Sequence, residues 1–210
     1  MNSKKIIVAG IGPGAKNFIT PAALEKISTA RFLVGGNRAL AEFSNQNQET
    51  CAITKDLDAV INFIREKILI DEVVVMASGD PGYYSILDLL RKNFAPEIIE
   101  VIPSISSMQL AFAKLALSWH SSTLLSFHGR RPSDEDLKFA PEKILGLLTD
   151  NEFNSAAISK ILLENGWSEN SKIAICARLS YPDEKIIRTT LIEAANSAPV
   201  KNCILIVGRW

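Results

Sequence analysis

The stretch Lys5-Ile6-Ile7-Val8-Ala9-Gly10-Ile11-Gly12-Pro13-Gly14 constrains the fold most: an apolar run of buried-strand type empties into a loop with glycine at every second position. Glycine permits φ > 0 and lets backbone N–H groups approach a ligand closely, while the apolar residues before it anchor the strand in a sheet. A second segment is built alike. Val73-Val74-Val75-Met76-Ala77 runs into Ser78-Gly79-Asp80-Pro81-Gly82, and Tyr83-Tyr84 then leads into a helical pattern with Leu87 and Leu90 in phase. Read alone, Gly-Asp-Pro-Gly is a turn in which Pro sets φ and Asp bonds its own backbone. In an open α/β sheet, ligands sit beyond the carboxyl ends of strands, so two such strand ends can form one pocket.

The residues after the first loop separate the nucleotide-type readings. A phosphate-binding P-loop needs a Gly-Lys-Ser/Thr ending, and none follows. Gly10, Gly12 and Ala15 fit the G-x-G-x-x-G/A pattern of dinucleotide sites, but that pattern requires the turn to open directly into a helix. The next helix start is instead Thr20-Pro21, with Thr as N-cap and Pro at the first helical position, so residues 15–19 form an irregular stretch. Arg31-Phe32-Leu33-Val34-Gly35-Gly36-Asn37 also lacks the acid a ribose would need. The dinucleotide reading is disfavoured.

Strand-like and helix-like patterns alternate along the whole chain, which predicts an α/β fold. Strands are expected near residues 5–10, 31–35, 73–77, 97–102, 122–127, 144–148, 172–177 and 203–207. Leu57, Val60, Ile61 and Ile64 mark one amphipathic helix, and Ala157, Ile158, Ile161 and Leu162 another. Asn45-Gln46-Asn47-Gln48-Glu49 reads as the least ordered stretch, a polar loop with no core residue to hold it. A break near Ser118 to Ser122, after a helix built on Met108, Phe112 and Leu115, divides the chain into domains 1–117 and 118–210.

With 210 residues, 47% of them hydrophobic, the chain can bury a substantial core. Its formal net charge of zero argues against nucleic acid as an obligatory partner. No apolar run has the length of a membrane span, and Met1-Asn2-Ser3-Lys4-Lys5 meets a strand rather than a signal-peptide core, so a cytoplasmic location is expected. Cys51, Cys176 and Cys203 lie far apart in sequence, the latter two in apolar strand-like runs, and neither a disulfide nor a metal site is expected.

The motifs resemble those of the tetrapyrrole methylases, which transfer a methyl group from S-adenosylmethionine to porphyrin-like or corrin-like rings. The likeness covers Gly10 to Gly14, Ser78 to Gly82 and Ile102-Pro103-Ser104-Ile105-Ser106-Ser107-Met108-Gln109, and runs on to the C-terminus. Ser126-Phe127-His128-Gly129-Arg130 and Tyr181-Pro182-Asp183-Glu184-Lys185-Ile186-Ile187-Arg188 are similar to the cobalamin-pathway branch that methylates C5 of precorrin-7 or cobalt-precorrin-7. The resemblance implies two α/β domains with the cofactor cleft between them, in a homodimer. It implies cofactor contacts by Gly10, Gly12, Pro13 and Gly14, by Gly79, Asp80 and Tyr83, by Ser106 and Ser107, by Leu148 and Thr149 within Gly146 to Asp150, and by the backbone of Leu179. The alternatives are that Asp80 is a mere turn cap and that the hydroxyls at Ser106 and Ser107 serve as helix N-caps. Two positions depart from the pattern: Ala177-Arg178 stands where Glu-Asn is expected before Leu179, and Ser104 replaces the glycine usual after Pro103.

A precorrin ring carries many carboxylates around a flat apolar centre, so its site needs cationic donors at the rim. His128, Arg130 and Arg131 are the candidates, since Arg can take a carboxylate in bidentate fashion; the alternative is a solvated loop with no such role. The sulfonium donor is already activated, so alignment and exclusion of water are the main tasks; if a ring proton must move, His128 is the candidate catalytic base. Two other readings stay open: another methylase of the superfamily, and a non-catalytic module that binds S-adenosylmethionine or a nucleotide as a sensor. In some relatives of this branch a module that methylates C15 and removes a carboxyl group is fused at the C-terminus; here the chain stops at Gly208-Arg209-Trp210, and a separate protein is expected to supply that activity.

Overall fold

A computed structural model describes residues 4–210 and divides the chain into two compact α/β units, the first ending at Ser106 and the second covering Ser107–Trp210. The first contains strands β1 (Ile6–Gly10), β2 (Phe32–Gly35), β3 (Glu49–Ala52), β4 (Val73–Ala77) and β5 (Ile99–Ile102). Its helices are α1 (Pro21–Thr29), α2 (Asn37–Phe43), α3 (Leu57–Lys67) and α4 (Leu87–Asn93). The sheet order is β3-β2-β4-β1-β5, with every pairing parallel. A strand covered on both faces can be apolar throughout, and β1 and β4 are buried at every residue. Successive side chains face opposite ways: Ile6, Val8, Val73 and Val75 join the core with Val60, Ile61, Ile64 and Leu90, whereas Ile7, Ala9, Val74 and Met76 join Ala23, Ile27 and Ala39.

The second unit contains α5 (Ser107–Lys114), β6 (Thr123–Ser126), α6 (Asp134–Leu137), β7 (Leu145–Leu148), α7 (Ser155–Glu164), β8 (Lys172–Ala177), β9 (Lys185–Thr190), α8 (Leu191–Asn196) and β10 (Cys203–Gly208). Its sheet runs β6-β7-β10-β8-β9, with β6 parallel to β7 and the remaining pairs antiparallel. Leu145, Leu147, Ile173, Ile175, Leu205 and Val207 form one core with Ile158, Leu162 and Leu191. On the other face α5 lies so close to β7 that a Cβ at Gly146 would meet Met108 Sδ at 2.7 Å and Phe112 Cε2 at 3.0 Å.

All eight expected strands are present, and α3 and α7 carry the expected amphipathic stripes. Thr20 caps α1 by accepting the Ala23 N–H at 3.2 Å, with Pro21 at the first helical position. The irregular stretch before it holds one 3-10 turn, Lys16–Phe18. Three expectations change. The α5 helix packs on the second sheet, so the division falls before it rather than after residue 117. The strands β3 and β9 are additional, each at a sheet edge and neither with a fully buried residue. The Asn45 to Glu49 stretch is tied down: Gln48 Nε2 donates to the carbonyls of Ile27 and Ala30 at 2.7 and 2.9 Å, and Glu49 begins β3.

Cys51 is half-buried, Cys176 and Cys203 are buried, and all three are free thiols. Burial pushes the Cys176 thiol up to about 12 and the Cys203 thiol up to about 11, as befits small apolar core residues. Among the described residues no helix is long and apolar enough to cross a membrane.

Candidate functional site

The strands β4, β1 and β5 are neighbours and parallel, with Gly10 opposite Ala77 and Ala9 opposite Ile102, so the loops that follow them emerge side by side from one sheet edge. This is where an α/β sheet places a ligand. The first two loops are joined directly. Ile11 N donates to Ala77 O at 2.9 Å, and Gly12 and Gly79 exchange N–H···O bonds of 3.3 and 2.8 Å. Both glycines take left-handed angles, φ 72° and 71°, which a side chain would strain.

Asp80 fastens the third loop to the second. Its Oδ1 accepts the Gly82 N–H at 2.8 Å and its Oδ2 accepts the Ser104 N–H at 3.0 Å. Ser104 then donates through Oγ to the Phe18 carbonyl at 3.3 Å. A Cβ on Gly10 would stand 2.6 Å from Ser104 Cβ, 2.8 Å from Pro81 Cδ and 2.9 Å from Gly79 O, so glycine there is demanded by the three loops themselves. The serine in place of the usual glycine is accommodated because Gly10 leaves room for it. In the sequence Ser104 shows only as a departure, and nothing there signals its bracing role.

The glycines thus serve the protein first. The N–H groups of Gly12 and Gly79 are engaged with each other rather than directed at a ligand. What the cluster leaves for a ligand is different: the Asp80 carboxylate has acceptor capacity beyond its two backbone bonds, and the Tyr83 hydroxyl is sealed from solvent without a hydrogen-bond partner. Burial also drives the Tyr83 hydroxyl well above the usual phenol range, so it stays a neutral donor. An orphaned buried donor calls for an acceptor. Pro13 is half-buried, Gly14 and Ser106 are buried, and Ser107 opens α5 in the second unit.

The second unit collects its candidates at one end of its own sheet. The strands β6, β7 and β8 run the same way, so His128, Thr149 and Leu179 follow three carboxyl ends on the same edge. Thr149 is buried, and its hydroxyl donates to Cys203 O at 2.9 Å and accepts the Cys203 N–H at 2.8 Å; that proton is committed to closing the β7–β10 pair. Leu148 is the last residue of β7, opposite Ile204. Leu179 is buried in the turn after β8.

His128, Arg130 and Arg131 are exposed. Their loop is anchored by Asp150, which the sequence reading left without a role: Oδ2 accepts the Gly129 N–H at 3.0 Å, and Oδ1 accepts those of Phe153 and Glu152 at 2.7 and 2.9 Å. The Gly129 bond, with smaller help from the others and from His128, holds the Asp150 carboxyl below the usual carboxylate range against its desolvation. Arg131 pairs with Asp134 at 2.7 Å, both side chains largely in water. An exposed pair of that kind contributes about 0.2–1 kcal/mol, so a ligand carboxylate can displace it. The departure at Arg178 is neutralised locally by Asp183, at 3.0 Å. A pocket of about 340 Å³ lies at the opposite end of this sheet, against Trp167, Lys172 and Gly208, away from these candidates.

Comparison with known proteins agrees with this architecture. A curated relative, the cobalt-precorrin-7 C(5)-methyltransferase of Salmonella typhimurium, is 32% identical over 205 residues, covering 96% of this chain and 98% of its own. The probable cobalt-precorrin-7 C(5)-methyltransferase of Methanocaldococcus jannaschii is 32% identical over 200 residues, covering 91% and 92%. The crystal structure of Thermus thermophilus uroporphyrin-III C-methyltransferase complexed with S-adenosylhomocysteine superposes with a TM-score of 0.76 at 21% identity, covering 97% of this chain and 92% of that one. The family model of the tetrapyrrole (corrin/porphyrin) methylases matches residues 5–195, and the chain belongs to that family.

Proposed function

We propose that the protein is an S-adenosylmethionine-dependent C-methyltransferase acting on C5 of cobalt-precorrin-7 or precorrin-7 in corrin-ring biosynthesis. The observation that carries the reading is the braced three-loop edge at β4, β1 and β5, in a chain that aligns with C5-methylating relatives over nearly its whole length. When bound, S-adenosylmethionine supplies a methyl group already activated by its sulfonium. The residues present fit it: Tyr83 offers a sealed, unpartnered donor, and Asp80 can accept from a ribose hydroxyl or amino group.

In this reading Gly10, Gly12 and Gly79 hold the first unit's loops in register beside the cofactor candidates Pro13, Gly14 and Ser106, and the second unit's own candidates are Ser107, Leu148, Thr149 and the Leu179 backbone. Because the Thr149 hydroxyl proton is committed to Cys203, Thr149 acts through shape. Arg130 and Arg131 receive ring carboxylates, with the Asp134 partner of Arg131 giving way. His128, on a loop pinned by Asp150, is the candidate to take a ring proton if the reaction releases one. Catalysis then consists chiefly of orientation and exclusion of water. We also propose a cytoplasmic homodimer, whose oligomeric state analytical ultracentrifugation reads.

Incubation with methyl-labelled S-adenosylmethionine and each precorrin-7 form, followed by mass and NMR analysis of the pigment, tests the reading. Gain of one labelled methyl at C5 is expected. Tight cofactor binding with no transfer to either form contradicts it and favours the sensor or another methylase.

A further inference from the structure

Leu179 is 5% exposed, and the residues on either side of it, Arg178 and Ser180, adopt left-handed angles of φ 53° and 70°. Non-glycine residues seldom enter that region, and two of them bracketing one buried residue must be held there by their surroundings. Carboxylates do the holding. Arg178 Nε donates to both oxygens of Asp183, at 3.2 and 3.0 Å, and its guanidinium lies 4.3 Å from the centre of the Tyr181 ring. Glu184 accepts the Ser180 N–H through Oε2 at 2.8 Å and pairs through Oε1 with Lys114 Nζ at 2.7 Å. Backbone bonds from Tyr181 N to Arg178 O and from Glu184 N to Tyr181 O close the turn.

The two carboxylates differ in how firmly they hold. The side chains of Arg178 and Asp183 are 58% and 63% exposed, so water competes for that pair, whereas Glu184 is 20% exposed and occupied on both oxygens. Lys114 ends α5, the helix that opens at Ser107, so one carboxylate joins that helix to the turn that carries Leu179. Non-glycine backbone held in this region is the kind of strain that clusters at functional turns.

We propose that Glu184 is a positioning residue: anchored by Lys114, it fixes the Ser180 amide and thereby sets the Leu179 backbone in the conformation that receives the cofactor's adenine. The proposal rests on the methyltransferase reading, through Leu179. A turn locked before the ligand arrives needs no ordering on binding, so the lock acts on cofactor affinity rather than on methyl transfer itself.

The test uses the full chain and the variants Glu184→Ala, Glu184→Gln and Lys114→Met, with amide exchange of residues 178–181, the S-adenosylmethionine Kd by calorimetry, and kcat and KM with cobalt-precorrin-7. Glu184→Ala is expected to speed Ser180 exchange and to raise Kd and KM for the cofactor about tenfold, leaving saturated kcat and the tetrapyrrole KM within about twofold. Glu184→Gln, which still accepts the Ser180 N–H, should restore Kd to within about threefold of wild type, and Lys114→Met should weaken binding about threefold. Unchanged Kd in a folded Glu184→Ala, or a loss confined to kcat, overturns the proposal while leaving the methyltransferase reading intact. If Glu184→Ala does not fold, wild-type affinity in Lys114→Met overturns it instead. A wild-type chain that fails to bind S-adenosylmethionine overturns both readings together.

Discussion

At the junction of the first two loops in the first unit the chain bends through glycine: Gly12 and Gly79 turn left-handed and hydrogen-bond to each other, with Gly10 packed bare against Ser104 and Pro81. In the second, Arg178 and Ser180 make the same excursion with side chains attached, and Asp183 and Glu184 supply the restraint. The Gly12–Gly79 junction rests on backbone sterics and backbone hydrogen bonds, which are independent of pH and salt, with the Asp80 carboxylate bracing only the third loop, whereas the turn at Leu179 is restrained by carboxylates throughout. The two regions should therefore fail under different insults.

The largest effect is expected at Gly10. Gly10→Ala places a methyl within 2.6–2.9 Å of three separate groups, none a flexible side-chain end, and should cost about 3 kcal/mol in urea unfolding, together with cofactor binding. Asp80→Ala releases the Ser104 and Gly82 amides from a charged acceptor and should cost about 2 kcal/mol and weaken cofactor affinity; an effect on affinity alone would mean that Asp80 serves the ligand rather than the loops.

Acid should separate the units. Four carboxyls of the second unit are held below their ordinary range: Asp150 by the Gly129 amide, Asp183 by Arg178, Glu184 by Lys114 and Glu193 by Thr189. A depressed folded pKa contributes stability above the unfolded value, near pH 4, that is lost as pH falls through the folded one. Hydrogen exchange followed below about pH 4 should show the second unit loosening first, by a modest amount because Asp183 and Glu193 are exposed to solvent screening. The smallest effect belongs to Arg178→Asn: relief of a left-handed angle and loss of an exposed ion pair oppose each other, leaving stability within about 0.5 kcal/mol of wild type.

The same contrast explains what could be read from the chain. Gly10, Gly12, Gly79 and the Thr20-Pro21 cap announce themselves by residue type, and β1 and β4 by unbroken apolar runs that only a strand buried on both faces sustains. Nothing in the letters Arg178-Leu179-Ser180 signals a left-handed turn, because residues four or five positions on impose it. The edge strands β3 and β9 carry polar or charged residues at half or more of their positions, Glu49 and Thr50 in one and Lys185, Arg188, Thr189 and Thr190 in the other, which hide a strand pattern. The boundary was placed too late because Met108 and Phe112 give α5 an apolar face without saying which sheet receives it; the bare Gly146 of β7 does. The glycines were legible as necessary, but their N–H groups serve neighbouring loops before any ligand.

Hydrogen exchange with and without S-adenosylhomocysteine tests the central claim most directly. Protection at residues 10–14, 79–84 and 104–107 of the first loop cluster and its exit, and at 178–181 of the second unit, is the predicted result. Binding that leaves these segments unprotected, or protects only the Trp167–Lys172 end of the second sheet, would contradict it.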